Sequence, residues 1–334
     1  DGSTYTNITG EAALTLSTAA ITQNTWYRRK VTIDGCVAYS NVLNAIVKSG
    51  PGGIAGPLVW LKADVGTGSI GTQWVDQSGN GNHYITSGSP TLVNGDSTSN
   101  YNPYIILAGG EGFDAPVGAA LSSSYTLFAA AKKLNSDMNG TVIDGHSSGY
   151  QFAFSGNDTV KTVQAITSTS LAAQGIQVDI NTGASTGAGC DAHIYELIIY
   201  NRVLPSDSIE MIESYLETKY GVRGSDNFVS STGGTTYDAS SYSNDIIGIG
   251  IECYFHQKQA ETSDDSLKIT VGAFTDFAAT NSDNGQSVTN DVSYLMVGHN
   301  GGKMKGTSAT RADIPPASTM GSDNTTPITI LTRI

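Results

Sequence analysis

The chain has 334 residues, 39% of them hydrophobic and 14% charged, with a net charge of −13. That length accommodates two or three domains with real apolar cores. The acidic balance repels phosphate backbones and anionic lipid, arguing against nucleic acid or an anionic membrane as a partner, and no apolar run is long enough to span a bilayer.

Charged residues fall well below the roughly 25% of ordinary soluble domains, so Ser, Thr, Asn and Gly must supply the polar surface. With 16 Tyr, this suits an all-β chain of short strands and many turns. Residues 1–48 read as strands at Ala13–Leu16, Trp26–Ile33 and Val42–Val47, with a turn at Asp34-Gly35 ahead of Cys36. Residues 49–57, Ser-Gly-Pro-Gly-Gly-Ile-Ala-Gly-Pro, break both helix and sheet and read as a linker.

Residues 58–222 read as a second domain. Strands are expected at Leu58–Ala63, Tyr104–Leu107, Tyr125–Ala131, Gln151–Phe154 and His193–Tyr200, and Trp74-Val75 runs into the turn Asp76–His83. The stretch 155–190 carries no clear strand pattern. A helix is expected over about 207–220, with Asp207 as its cap, Glu210 completing a capping box, and Ile209, Ile212 and Leu216 on one face. Lys219 complements the helix dipole and Gly221 stops the helix. Residues 225–334 form a third region, with strands expected around Phe228–Gly233, Ile246–Glu252, Leu267–Gly272 and Ser293–Val297, and a turn at Gly298-His299-Asn300-Gly301.

Three blocks carry a resemblance. The order Leu-x-Leu, Trp-Tyr-x-Arg and Cys-x-x-x-Ser-Asn in residues 14–41 resembles the last strands of immunoglobulin-like repeats of large bacterial surface proteins. "LVWLKAD", "WVDQSGNGNH" and "YELIIYNRVLPSDSIEMIESYLETKYGV" resemble the laminin-G/concanavalin A-like jelly-roll modules of Bacteroidetes surface proteins. Residues 225–334 resemble the β-rich domain that follows the jelly roll in large Bacteroidetes adhesins secreted by the type IX system, relatives tied to gliding motility. The resemblance implies an all-β, multi-domain chain: the end of an Ig-like sandwich, a jelly roll closed by one short helix, and a further β-sandwich-like domain continuing past residue 334. It also implies a partner for Cys36 in an earlier strand. That would explain the odd count of Cys36, Cys190 and Cys253, which show no metal-like spacing.

Glycosidase chemistry needs two carboxylates across a cleft. The strand 193–200 carries Glu196 alone, suited to buttressing the sheet, and Glu111 also stands alone. The five histidines, His83, His146, His193, His256 and His299, lie in no nucleophile-elbow or paired-zinc context. Asp76, Asn80 and Asn82 form the best polar constellation: either a hydrogen-bonded turn or a Ca2+ site. Tyr84, Tyr101, Tyr104 and Tyr150 lie near loops and are the candidate glycan-stacking aromatics. Asp158-Thr159-Val160 and Asp265-Ser266-Leu267 match a short O-glycan acceptor pattern of such secreted proteins.

The expected function is a non-enzymatic cell-surface adhesin or surface-filament segment. Its partners would be a surface glycan or other extracellular ligand, the type IX secretion machinery and outer-membrane components. A carbohydrate-binding module of a secreted polysaccharide-degrading enzyme is the alternative.

Overall fold

The structure, a computed structural model, describes residues 5–8, 16, 25–45, 50–134, 140–146, 150–154, 160–182, 189–222, 227–240, 242–252, 255–262, 267–288 and 291–299. Several expectations fall outside them: Cys253, most of the strand at 13–16, the glycan-acceptor residues Asp158, Thr159, Asp265 and Ser266, and the segment 328–334. By its internal contacts the chain divides into two units, Asp1–Ser49 and Gly50–Ile334.

In the first unit, β1 (Thr25–Tyr27) pairs antiparallel with β4 (Leu43–Ala45), and β2 (Lys30–Ile33) pairs with β3 (Cys36–Tyr39). The expected strand over 26–33 is interrupted at Arg28-Arg29. Asp34 and Gly35 take φ of 48° and 81°, the mirror-image turn that matches the twist of a two-residue hairpin. Arg28 sits between the rings of Tyr5 and Tyr39, 3.8 and 4.2 Å from their centroids. Cys36 is exposed and free.

The second unit opens with β5 (Val59–Lys62), β6 (Gln73–Trp74), β7 (Tyr84–Ser87), β8 (Thr91–Val93), β9 (Tyr104–Leu107), β10 (Gly112–Asp114), β11 (Tyr125–Lys133), β12 (Ile143–Gly145), β13 (Gln151–Ala153), β14 (Thr162–Ser168), β15 (Val178–Ile180) and β16 (Ala192–Tyr200). One six-stranded sheet runs β13–β12–β15–β10–β7–β6; the other runs β14–β11–β16–β9–β8, with β5 also on β16. One apolar core joins them, taking Trp74, Phe113, Ile143 and Ile180 from the first sheet and Leu61, Ile105, Leu127 and Ile194 from the second. The second sheet is buried on its other face as well, where Trp60, Phe128, Tyr195, Ile198 and Tyr200 meet helix α1 (Ser206–Tyr220) through Ile212, Tyr215, Leu216 and Tyr220.

This two-faced burial explains why β16 reads as nearly continuous hydrophobic sequence. Strict alternation from Ile194, which faces the inter-sheet core, would turn Glu196 into that core as well. A bulge prevents it. Ala130 pairs with Glu196 but Ala131 pairs with Ile194, leaving Tyr195 as the extra residue. Tyr195 and Glu196 therefore both point to the helix side, and Leu197 returns to the core.

The helix closes at Gly221 in the left-handed conformation (φ 60°, ψ 45°), and Lys219 occupies its last turn as expected. Its start differs from expectation. The N-cap is Pro205 in an extended conformation with no side-chain cap bond, and the helix begins at Ser206. Asp207 thus lies inside the first turn, where its charge still favours the dipole but cannot cap.

Beyond the helix come β17 (Phe228–Val229), β18 (Thr235–Tyr237), β19 (Asn244–Glu252), β20 (Phe255–Gln257), β21 (Gln259–Glu261), β22 (Lys268–Thr270) and β23 (Ser293–His299). They form the sheets β17–β18, β20–β19–β23 and β21–β22. His299, expected in a turn, is the last residue of β23 and pairs with Asn244. These strands pack on the outer side of α1. Phe255 meets Tyr215 edge-on with ring centroids 5.6 Å apart, and a Cβ at Gly248 would press on the Met296 thioether and lie 3.2 Å from Thr218 Cγ2, so the glycine favours the close approach of β19 to the helix.

Side-chain amides bind the same region to the sandwich. Asn100 Nδ2 donates to Thr218 O (3.0 Å), and Asn102 Nδ2 donates to Lys219 O (2.5 Å) and Gln257 Oε1 (2.9 Å). They satisfy carbonyls that the helix end leaves without partners. Gln257 Nε2 returns a bond to Asn100 O (2.9 Å), and Asn281 N bonds Tyr101 O (2.8 Å). Residues 227–299 therefore share a buried polar network with residues 99–102.

Glu196, which has no exposed surface, is held from four sides. Its Oε1 accepts from Trp60 Nε1 (2.6 Å) and Tyr215 OH (2.9 Å); its Oε2 accepts from Lys219 Nζ (2.9 Å) and Tyr220 OH (2.9 Å). Lys219 also reaches Asp64 at 3.0 Å. Burial works against the Lys219 ammonium, but Asp64 and Glu196 outweigh it and hold its pKa above the ordinary lysine value. Burial, reinforced by Glu196, lifts Tyr215 and Tyr220 well above the usual tyrosine range.

Glu196→Gln leaves Lys219 buried with half its counter-charge gone, and chemical denaturation should show a loss of about 3–5 kcal/mol. The pH dependence follows from the signs. Lys219, Tyr215 and Tyr220 bind protons more tightly when folded, so their contribution is complete below about pH 10, where the unfolded groups titrate, and is lost as pH rises further. Denaturation midpoints should fall above about pH 10 and fall less steeply in Tyr220→Phe; an identical alkaline slope in that variant would contradict the assignment.

Candidate functional site

The Asp76–Asn82 loop is a hydrogen-bonded clamp, not a cation cage. Asp76 Oδ1 accepts from Trp60 N and Ser78 N, both at 2.9 Å; Oδ2 accepts from Ser78 Oγ at 2.6 Å and Asn82 N at 3.0 Å. The carboxylate is thus fully engaged by four donors. Asn80 Nδ2 donates to Pro57 O (2.9 Å) and Asn82 Nδ2 to Leu58 O (2.9 Å), so both amides turn N–H groups toward the start of β5. A cation would need oxygens converging on one point. Of the two readings of Asp76, Asn80 and Asn82, these bonds are those of the turn, which staples β5 to the loop after β6. Asp76→Ala should cost about 3 kcal/mol by thermal or chemical unfolding, since it orphans three backbone N–H groups, and chelator should leave this contribution unchanged.

The four tyrosines do not form a stacking rim. Tyr84 is fully buried in the inter-sheet core, its hydroxyl donating to Val178 O at 2.7 Å. Tyr101 is buried with its hydroxyl on Glu261 and its ring edge-on to Phe277. Tyr104 is buried between His193 and Tyr195 and bonded to Asp96 Oδ2 (3.1 Å); burial and Asp96 push its pKa to about 12. Tyr150 is half-buried and packs on Phe152 against the core. Their rings are used internally, which corrects the stacking expectation for Tyr84, Tyr101 and Tyr104, while Tyr150 turns toward the core.

The polar feature that the fold does assemble lies on the first sheet. Its apolar residues, among them Phe113, Ile143, Val178 and Ile180, face the core, so the residues alternating with them face outward. The registers place these side by side. Gln73 pairs with Ile85 and Ile85 with Asp114; Phe113 pairs with Ile180, which sets Asp114 beside Asp179; Asp179 pairs with Asp144, and Asp144 with Gln151. One lateral row thus crosses all six strands, β6 to β13. Ile85 is 53% exposed in it, while Asp144 and Asp179 are fully buried.

His146, two residues beyond Asp144 and so on the same face, joins the row. Its Nδ1 lies 2.7 Å from Asp179 Oδ2, with the imidazole side chain 41% exposed. Asp179 Oδ1 accepts from Ala115 N at 2.8 Å, and Thr182 Oγ1 approaches Oδ2 at 3.3 Å. Burial raises the Asp179 pKa, against the opposing pull of the Ala115 N–H and His146. The ligating atoms of Asp114, His146 and Asp179 all lie within 4.8 Å of one another. In the sequence, His146 stood only as one of five histidines in no nucleophile or zinc context, and Asp114 and Asp179 were not singled out. The local trace is Asp144-x-His146, a spacing that places both on one face of a strand; Asp114 and Asp179 join only through non-local pairing.

Residues 208–325 match a family model described as a domain of unknown function (DUF8202), and residues 1–49 match another of the same description (DUF8696). No curated protein sequence matches the chain. Among solved structures, the chain is similar to a Trypanosoma rangeli sialidase, at 14% identity and a TM-score of 0.27 over 48% of this chain. It spans 32% of that protein, about a third. It is similar also to an arabinofuranosidase complexed with arabinofuranosyl-alpha-1,2-xylobiose, at 13% identity and a TM-score of 0.34 over 70% of this chain and 71% of the other. A GH54 α-L-arabinofuranosidase soaked with a cyclic sulfate inhibitor follows, at 12% identity and a TM-score of 0.30 over 71% of each. Likenesses this distant carry no argument about activity. Among the described residues, no helix is long and apolar enough to cross a membrane.

Proposed function

We propose that the chain is a non-enzymatic segment of a cell-surface adhesin that binds an extracellular glycan through the outer face of its first sheet. The observation that carries this reading is the set Gln73, Ile85, Asp114, His146 and Gln151, which solvent reaches on the outer face of the sheet, with Asp144 and Asp179 buried in the same row behind them. Planar polar side chains around one exposed apolar group are the equipment with which a surface pairs sugar hydroxyls and covers a sugar face. Strands hold such groups more rigidly than loops do, which lowers the entropy lost on binding. Meanwhile Glu196, the carboxylate on the longest run of apolar strand, serves the helix contact and has no surface to offer a substrate. The resemblance of the three sequence blocks to type IX-secreted adhesins supports a location on the outer surface of the outer membrane, reached through that machinery.

The test pairs retention with chemistry. The purified chain is passed over immobilised bacterial and plant polysaccharides, and reducing ends are assayed in parallel. Retention without release of reducing ends is expected, weakened several-fold by Gln151→Ala and Ile85→Ala together. Release of reducing ends, or retention unaffected by that double variant, would overturn the reading.

A further inference from the structure

We propose that Asp114, His146 and Asp179 form a binding site for a first-row divalent cation, with Zn2+ the best match to their donors. The inference deepens the reading of the sheet face given above, and the cation can be measured without any glycan.

The geometry supports it in three ways. First, the donors come from neighbouring elements of one sheet: Asp114 ends β10, Asp179 is central in β15, and His146 directly follows β12. Side chains on adjacent strands stand about 5 Å apart at Cβ, so two short carboxylates and an imidazole converge, with their ligating atoms within 4.8 Å of one another. Ligands around one ion with bonds of about 2.0–2.2 Å stand roughly 3.3–3.6 Å apart, so the 2.7 Å His146–Asp179 pair opens slightly while the wider spacings close.

Second, the Asp179 carboxylate is already oriented. Ala115 N–H holds Oδ1 at 2.8 Å and so aims Oδ2 at His146 Nδ1. A backbone donor fixing the far oxygen of a ligating carboxylate is the usual outer support of a metal site. The cation takes the place of the proton between Oδ2 and Nδ1, and the neutral imidazole keeps its hydrogen on the other nitrogen. Asp144, paired across the strand with Asp179, adds a further buried carboxylate abreast of the site. Like charges opposite one another destabilise a sheet, and a doubly positive ion between Asp114 and Asp179 relieves that repulsion.

Third, the donor set selects the ion. One imidazole nitrogen with carboxylate oxygens suits Zn2+ and its first-row neighbours, whereas Ca2+ takes six to eight oxygens. Three protein ligands leave a coordination position open, and the 41% exposure of His146 puts solvent on that side. A vicinal pair of sugar hydroxyls is the chemistry that would fill it.

The experiment uses the full chain carrying Cys36→Ser, which removes the exposed thiol as a competing ligand, after chelator treatment. Calorimetric titration with ZnCl2 alone should show one ion per chain, and saturating Zn2+ should raise the melting midpoint by several degrees. His146→Gln and Asp114→Asn should each weaken Zn2+ binding by at least about tenfold while leaving the circular dichroism unchanged. His146 is the safer variant, because its side chain is part-exposed and its loss strains no core. Absence of stoichiometric Zn2+ uptake, uptake unaffected by both variants, or preference for Ca2+ would each overturn the proposal. Zn2+ uptake without polysaccharide retention would sink only the glycan reading, and polysaccharide retention without stoichiometric Zn2+ uptake would sink only this one.

Discussion

The Glu196 carboxylate is the interaction on which the second unit depends. It joins β5 through Trp60, the helix through Tyr215, Lys219 and Tyr220, and its own central strand β16. A buried charge is tolerated only when its hydrogen-bonding capacity is met, and here four side chains from two other elements meet it. The requirement runs both ways. The helix can dock only in the register that brings Tyr215, Lys219 and Tyr220, spaced four and one residues apart, onto one carboxylate. Apolar packing alone would accept several sliding positions of α1 over the sheet. The ion pair selects one, which is a specificity argument more than a stability argument.

That selection propagates. Once α1 is placed, its C-terminal carbonyls at Thr218 and Lys219 are presented to Asn100 and Asn102. Those asparagines in turn receive Gln257, and Asn281 holds the neighbouring backbone at Tyr101. The strands after residue 227 are thus positioned by amides that read the end of the helix. A third region was expected to begin at residue 225. The side chains that bridge this boundary, Asn, Gln and Tyr, are the ones that look like ordinary surface in a sequence, and their burial shows only when both partners are in place.

What was legible in the sequence follows the range of the signal. The helix over 206–220, its stop at Gly221, the Asp34-Gly35 turn and the strands of high apolar content come from local periodicity and turn chemistry, and they are present. The Asp207 cap failed because Pro205 supplies the extended residue two positions earlier. The tyrosines misled because Tyr is at home both on a wet rim and in a core with one buried partner for its hydroxyl; Tyr84 found Val178 O and Tyr101 found Glu261, choices made by residues far away in sequence. The Asp76 loop offered atoms suited to either a turn or calcium, and the loop's own Ser78 and Asn82 donors together with Trp60 N of β5 engage the carboxylate as a turn. The bulge at Tyr195 was illegible because its register depends on β11.

The carboxylate row depends on that hierarchy although it lies on the opposite sheet. Its members come from β10, β15 and β12, separated by up to 65 residues between Asp114 and Asp179. They line up only because the inward residues Phe113, Ile180 and Ile143 lock the register through the shared core. A slip of one residue in any of those strands would turn an aspartate into the apolar layer, so the core that excludes the charges also enforces their alignment. The second sheet, packed on both faces, supplies a stiff backing for that core. The first sheet packs one apolar face on the core, and its other face carries polar groups, Asp144 and Asp179 buried among them. The two layers thus differ: β16 and α1 anchor the packing around Glu196, and the outer side of β10, β15 and β12 gathers the aspartates beside His146.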